Sequence, residues 1–186
     1  MSSAATLSVE TPDIIEESDT GAAVRATTAT AALTSAGVLG RVALQWNPSV
    51  ETVLPLAVAA GFYGGARHGF ASGATGFFVT NFLVWGGQGP WTVFQCLGAG
   101  LGAASAAYLA RFSRSGKFFA AALVVGTTVF ELAVNAGSLL YMPFGAASLL
   151  SAAPFIATHY ASSLSFGAIL YGTDTILSRA YRRNKP

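Results

Sequence analysis

The positions of the lysines and arginines constrain this chain most strongly, because they alternate with apolar stretches of membrane-spanning length. Nine of the ten basic residues fall at four places in the 186 residues: Arg25, Arg67, 111–117 and 179–185. The three connections between these places, at 45–52, 86–92 and 141–148, contain no Lys or Arg. Basic residues accumulate on the cytoplasmic side of membrane proteins. We therefore expect six spans, with both termini cytoplasmic.

The composition also predicts an all-α integral membrane protein built as a six-helix bundle. The chain is 53% hydrophobic and only 10% charged, whereas soluble domains contain about 25% charged residues. Its apolar runs are long and show no alternation, which favours helices over the strands of a barrel. A span needs about 20 apolar residues. We predict one domain in the cell membrane over residues 21–186, with spans near 22–45, 53–65, 70–85, 93–110, 118–141 and 149–179.

The first 20 residues differ from the rest, since they hold five of the eight acidic residues and no basic one. They lack the positive start and apolar core of a secretory signal, and we predict a disordered cytoplasmic tail. The net charge of +2 indicates no nucleic-acid partner, because the basic residues act as topological signals. Cys96 is the only cysteine, so no disulfide framework exists. Metal-ligand clusters and catalytic motifs are also missing, and we expect neither metal, cofactor nor enzymatic activity.

Six polar side chains inside the predicted spans all fall in the outer half of the membrane: Arg41, Asn81, Gln95, Glu131, Asn135 and His159. Ionisable groups in hydrocarbon cost about 2.5–3.5 kcal/mol on insertion scales and usually face a cavity or a partner. We predict that the six side chains line one outward-facing ligand cavity. Trp46 and Trp91, in the loops above it, are predicted to form a lid. The alternative is an Arg41–Glu131 ion pair and interhelical hydrogen bonds that only hold the bundle together.

Several motifs resemble those of the substrate-binding S components of energy-coupling factor (ECF) vitamin transporters. They are Pro-Ser-Val-Glu at 48–51, Gly-Gly-Ala-Arg-His-Gly at 64–69, Asn-Phe at 81–82, Gly-Gln-Gly-Pro-Trp-Thr-Val-Phe-Gln at 87–95 and Pro-Phe-Ile-Ala-Thr-His at 154–159. The run at 87–95 is the most specific of these. The resemblance covers about residues 22–183 and is consistent with the six-span topology.

This resemblance implies a bundle that captures a vitamin-like molecule from outside and has no ATPase of its own. Uptake in the family requires a transmembrane T component and two cytoplasmic ATPases. A small-residue face on the first helix contacts the T component, and Ala32, Ala36 and Gly40 fit that spacing, as do Ala22 and Ala26. The ligand does not follow from the fold. Two alternatives remain: a small proton-coupled carrier using Glu131 and His159, and a structural membrane protein.

Overall fold

The computed structural model of the chain describes residues 13–47, 49–142 and 146–183. Within these ranges the regular elements are six helices and no strands, which confirms the prediction of an all-helical chain. The helices are α1 (Asp13–Ala43), α2 (Val53–Gly64), α3 (Ala66–Leu83), α4 (Pro90–Ala110), α5 (Gly116–Tyr141) and α6 (Ala146–Arg183).

The first helix begins earlier than the composition indicates. Residues 1–12 of the predicted tail lie outside the described residues, but α1 starts at Asp13 and so includes residues 13–20. The backbone of residues 13–20 is therefore helical, whereas the composition predicts a disordered segment.

Two of the described helices, α4 and α5, are long and apolar enough to cross a membrane. The apolar helix α2 has only 12 residues, which is about 18 Å at 1.5 Å per residue. This is shorter than the roughly 30 Å of a bilayer's hydrocarbon core.

The short helix α2 forms the centre of the bundle, where it contacts each of the other five helices. Its side chains Leu54, Val58 and Phe62 are almost completely buried. They join a core that includes Phe77 of α3 and Phe119 of α5. Because α2 is covered on all sides, it is apolar all round, as expected for a fully buried helix.

Glycines let the helix backbones approach closely in the part of the bundle away from the N terminus of α2. A Cβ atom placed on Gly61 of α2 or on Gly69 of α3 would overlap the carbonyl of Ala103 in α4. A Cβ atom on Gly102 of α4 would likewise overlap the carbonyl oxygen of Gly126 in α5. Such small residues allow the van der Waals contact that drives helix association in lipid. These contacts leave no room for a side chain between the backbones.

The connection between α1 and α2 turns into the bundle instead of crossing over its end. Glu51 and Thr52 are 6% and 4% exposed, and Oγ1 of Thr52 donates to the carbonyl of Gly37 at 2.8 Å. Ser49 has φ 63°, a left-handed conformation that is uncommon outside glycine. This inward connection brings polar side chains above the N terminus of α2.

The Gly102–Gly126 contact predicts a large effect from the smallest possible substitution. Gly102→Ala should lower the free energy of unfolding by about 1–3 kcal/mol, since overpacking forces the backbones of α4 and α5 apart. The matched control is Gly172→Ala in α6, where a Cβ atom would meet no atom within 4 Å. The control should be neutral or slightly stabilising, because Ala favours helix more than Gly. Thermal unfolding of the purified proteins in detergent measures both effects, and equal midpoints would contradict the prediction.

Candidate functional site

A cavity of about 400 Å³ opens at one end of the bundle. We call this the cavity end: there α1, α3 and α5 end, and α2, α4 and α6 begin. The volume lies within the roughly 300–1,000 Å³ of typical small-molecule pockets. The structure brings seven of the eight residues proposed for ligand binding to the cavity lining, namely Arg41, Asn81, Trp91, Gln95, Glu131, Asn135 and His159.

The eighth residue, Trp46, lies outside the cavity lining. Its side chain is 68% exposed and packs edge-on against Trp85, with 4.0 Å between ring centroids. Trp85 lines the cavity in its place. Trp91 does line the cavity, and its Nε1 donates to the carbonyl of Gly87 at 3.2 Å. The sequence could not show that Trp85 takes the place of Trp46, because the path of the turn after α1 determines which indole faces the cavity.

Arg41 forms an ion pair with Glu51 and not with Glu131. Its Nε lies 3.3 Å from Oε2 of Glu51, and NH1 donates to Oγ1 of Thr80 at 2.6 Å. The guanidinium carbon also lies 4.4 Å above the ring centre of Phe77, within the range of a cation–π interaction. Carboxylate, hydroxyl and aromatic ring therefore all hold this buried cation in place.

Glu51 lines the cavity but was not among the residues proposed from the sequence. Its Oε1 accepts from the backbone N–H of Val53 at 2.6 Å, so the carboxylate caps the start of α2. Its own N–H donates to Oγ of Ser162 on α6 at 3.1 Å. A signal was present, since Glu51 is the only acid in the three connections without basic residues and lies two residues before the start of α2. Carboxylates are stabilising at that position because of the helix dipole.

Glu131 of α5 pairs with His159 of α6. Oε1 of Glu131 lies 2.6 Å from Nδ1 of His159, and because a carboxylate only accepts, Nδ1 carries the proton. Asn135 donates from Nδ2 to Oε2 of Glu131 at 3.0 Å. The imidazole is also placed edge-on to Phe130, with 5.0 Å between ring centroids. The spacing of Glu131 and Asn135 by one helical turn thus produces one hydrogen-bonded group.

A third polar group joins α3 to the start of α4. Nδ2 of Asn81 donates to Oγ1 of Thr92 at 3.0 Å and to Oε1 of Gln95 at 2.7 Å. The same Thr92 hydroxyl accepts from the N–H of Gly89 at 3.2 Å, which caps α4. Among the described residues, Nε2 of Gln95 has no hydrogen-bond partner. This amide group is therefore available to a molecule in the cavity.

Three buried polar atoms in the described part of the chain have no hydrogen-bond partner: Oγ1 of Thr127, Nε2 of His159 and Oγ of Ser163. They lie along the α5–α6 interface. Glu131 pairs with His159 there, and Phe119 stacks on Tyr171 three turns further on. In this antiparallel register Thr127 lies opposite Ser163, one turn below the Glu131–His159 pair. The unpaired hydroxyls of Thr127 and Ser163 therefore lie one helical turn below His159, which lines the cavity.

The structure separates the small residues of the predicted partner face on α1. Ala32 and Ala36 are exposed, but Gly40 packs against Thr52, whose Oγ1 would lie 2.8 Å from a Cβ atom on Gly40. Positions eight apart differ in direction by about 80° around an α-helix. Spacing alone therefore could not place all three residues on one face.

Comparison of the chain with protein-family models, curated proteins and solved structures gives no match. The interpretation of the cavity thus depends on its own chemistry. Its aromatic rings suit a flat molecule, and its amides suit hydrogen-bonding groups on that molecule. No group of three or more His, Cys, Asp or Glu side chains among the described residues is placed to hold a metal ion.

The buried hydroxyl of Thr127, which has no hydrogen-bond partner, predicts a gain in stability when it is removed. Thr127→Val keeps the side-chain shape and should raise the unfolding midpoint, because an unsatisfied buried polar group costs about 1–3 kcal/mol. The matched control is Thr128→Val. Oγ1 of Thr128 hydrogen-bonds to the carbonyl of Val124 and to the Tyr160 hydroxyl, both at 2.8 Å. The control should lower the midpoint, and a fall in Thr127→Val as well would show that its hydroxyl has a partner.

Proposed function

We propose that this protein is a substrate-capture (S) component of an ECF-type ATP-dependent importer that binds a vitamin-like small molecule from outside. The observation that carries the proposal is a cavity of about 400 Å³ at which polar groups from five helices converge. The motifs at 48–51, 87–95 and 154–159, which resemble those of S components, each supply residues to the cavity lining.

The proposed orientation has six membrane spans, cytoplasmic termini and the cavity end outside. Its support is the charge distribution: the described connections at the cavity end contain no Lys or Arg, whereas Arg67 and Arg114 lie at the opposite end. The short α2 is compatible with a span, since the connection of residues 49–52, in which Glu51 and Thr52 are buried, continues its path toward the outside.

Cysteine labelling in intact cells tests this orientation. In a Cys96→Ala background, Gly86→Cys at the cavity end should react with a membrane-impermeant maleimide, because basic-poor connections face outward. Ser115→Cys, in the α4–α5 connection, should react only after the cells are permeabilised. Both positions are exposed, so access to the reagent depends on the side of the membrane. Labelling of Ser115→Cys in intact cells would contradict the orientation.

In the proposed site, Asn81, Gln95 and Asn135 orient the ligand through hydrogen bonds, and Trp91 covers it with an aromatic surface. Arg41, Glu131 and His159 also line the cavity and hold its walls. Amide groups with free donors or acceptors are suited to ring nitrogens and carbonyls, which are common in vitamin-like molecules.

Mass spectrometry of the small molecules that co-purify with the detergent-solubilised protein tests the function directly. We expect one vitamin-like compound in stoichiometric amount with the wild type. Gln95→Ala should weaken its binding roughly ten- to hundredfold, because losing one hydrogen bond to a buried ligand costs about 1–3 kcal/mol. The matched control is Gln88→Ala: Gln88 is exposed and lies outside the cavity lining. Equal retention by both variants would contradict the proposed site.

The chain has no nucleotide-binding loop, so the proposed import requires a T component and two cytoplasmic ATPases supplied by other chains. The exposed Ala32 and Ala36 are the proposed contact with the T component. Gly40 is omitted from this surface, since it packs within the protein. The chain itself is proposed to bind and deliver its ligand without chemical change.

The second candidate is an independent proton-coupled carrier, which the 2.6 Å contact between Glu131 and His159 favours. Intramembrane carboxylates and histidines often form proton relays. Proteoliposomes containing only this chain distinguish the two functions. Uptake of the co-purified compound under an imposed pH gradient would favour the carrier, whereas ATP-dependent uptake that needs the partner proteins would favour the S component.

A further inference from the structure

We infer that the cavity selects an uncharged, planar ligand that carries an amide-like edge with one hydrogen-bond donor and one acceptor. The inference rests on the proposed function and names the chemical class of the captured molecule. It comes from the separation of two kinds of polar group in the cavity: ionisable groups that are already paired, and amide groups that are not.

Arg41 is the natural candidate to bind an anionic ligand, but its charge is already paired with that of Glu51. It pairs with Glu51 at 3.3 Å, donates to Thr80 at 2.6 Å and covers the face of Phe77. Its side chain is only 15% exposed. A ligand carboxylate would share Arg41 with Glu51 and bring two anions close together, which disfavours the charged form of both.

Glu131, the natural candidate to bind a cationic ligand, is engaged in the same way. One carboxylate oxygen accepts from Nδ1 of His159 at 2.6 Å, and the other accepts from Nδ2 of Asn135 at 3.0 Å. A ligand ammonium group would compete with both donors. The described cavity walls therefore present no ionisable side chain without a partner to a charged ligand.

Two amides of the cavity lining, one on α4 and one on α5, keep hydrogen-bonding atoms that no described group uses. Oε1 of Gln95 accepts from Asn81, which leaves Nε2 of Gln95 as a donor, whereas Nδ2 of Asn135 is used by Glu131, which leaves Oδ1 of Asn135 as an acceptor. Phe94 packs on Gly137, so Gln95 and Asn135 come to the same level of the antiparallel α4 and α5. One donor and one acceptor at this level of the same cavity match the edge of a carboxamide or a lactam.

Aromatic rings line the same cavity and favour a flat ligand. Phe77 and Phe130 lie 4.8 Å apart between centroids in a tilted arrangement. Trp85 and Trp91 line the cavity in the connection before α4 and at its start. Aromatic side chains offer a large apolar contact surface to a ring, and the two amides then set the ring's orientation.

Three probes of equal size and different charge test the inference: benzamide, benzoate and benzylamine. Their dissociation constants for the purified full-length protein in detergent can be measured by ligand-observed NMR at pH 7. We expect benzamide to bind at least tenfold more tightly than either charged probe. Benzoate or benzylamine binding as tightly as benzamide would overturn the inference, and so would the failure of all three probes to bind.

A second test of the inference replaces the amide of Gln95 by a carboxylate. Gln95→Glu keeps the acceptor for Asn81 but replaces the free donor by an anionic oxygen, so it should weaken benzamide binding and make benzylamine the preferred probe. The matched control is Gln88→Glu, which adds the same charge outside the cavity lining and should leave the order of the probes unchanged. An unchanged order in Gln95→Glu would overturn the role given to Gln95.

The inference and the proposed function can fail separately. A co-purified compound that carries a net charge at pH 7 and is lost from Gln95→Ala would overturn the selectivity for uncharged ligands and still support capture. Preferential benzamide binding by a chain that moves no solute with or without partner proteins would support the selectivity and count against the importer.

Discussion

The carboxylate of Glu51 connects the parts of the bundle that together form the cavity. It caps α2 through Val53, pairs with Arg41 of α1, and through Arg41 reaches Thr80 of α3. The backbone N–H of the same residue donates to Ser162 of α6. Four helices are thereby held at fixed positions around the cavity. Truncation of Glu51 would leave the buried cation without its partner, which typically costs several kcal/mol.

The cavity exists because α2 is short and starts deep in the bundle. The 12 residues of α2 span about 18 Å and the 18 residues of α3 about 27 Å. The difference of about 9 Å leaves space above the N terminus of α2, which the ends of the longer helices surround. At the lower level, contacts such as Gly102–Gly126 pack the helices tightly. The open space at the cavity end therefore results from the short α2, whereas the close packing away from it results from the glycine contacts.

Much of this arrangement could be predicted from hydropathy and the spacing of polar residues. The six helices were expected, and the depth of Arg41, Asn81 and Glu131 follows from their positions along those helices. What spacing could not supply was rotation about a helix axis and the path of a connection. Gly40 turns inward with the α1–α2 connection, and Trp46 points away from the cavity. Both outcomes depend on tertiary contacts, including those that hold Ser49 at φ 63°.

The same limit applies to the choice of ionic partners. Arg41 and Glu131 have compatible depths, and a sequence supplies no reason to reject their pairing. The structure instead gives each a nearer partner, since the inward path of residues 49–52 brings Glu51 to Arg41 and the α5–α6 register brings His159 to Glu131. Glu51 reaches Arg41 only because the connection between α1 and α2 enters the bundle. Hydropathy alone would place this polar connection at the membrane surface.

Polar groups that only held the helices together would be expected to close the space between them. Association in lipid depends on van der Waals contact, so each unfilled volume forgoes stabilisation. Here the polar groups surround about 400 Å³, and the amides of Gln95 and Asn135 keep hydrogen-bonding atoms that no described side chain uses. The charged groups beside them are paired, Arg41 with Glu51 and Glu131 with His159. The combination of paired charges and unpaired amide atoms favours a binding cavity over a structural network. In a structural network the amides would be hydrogen-bonded as fully as the charged groups are paired.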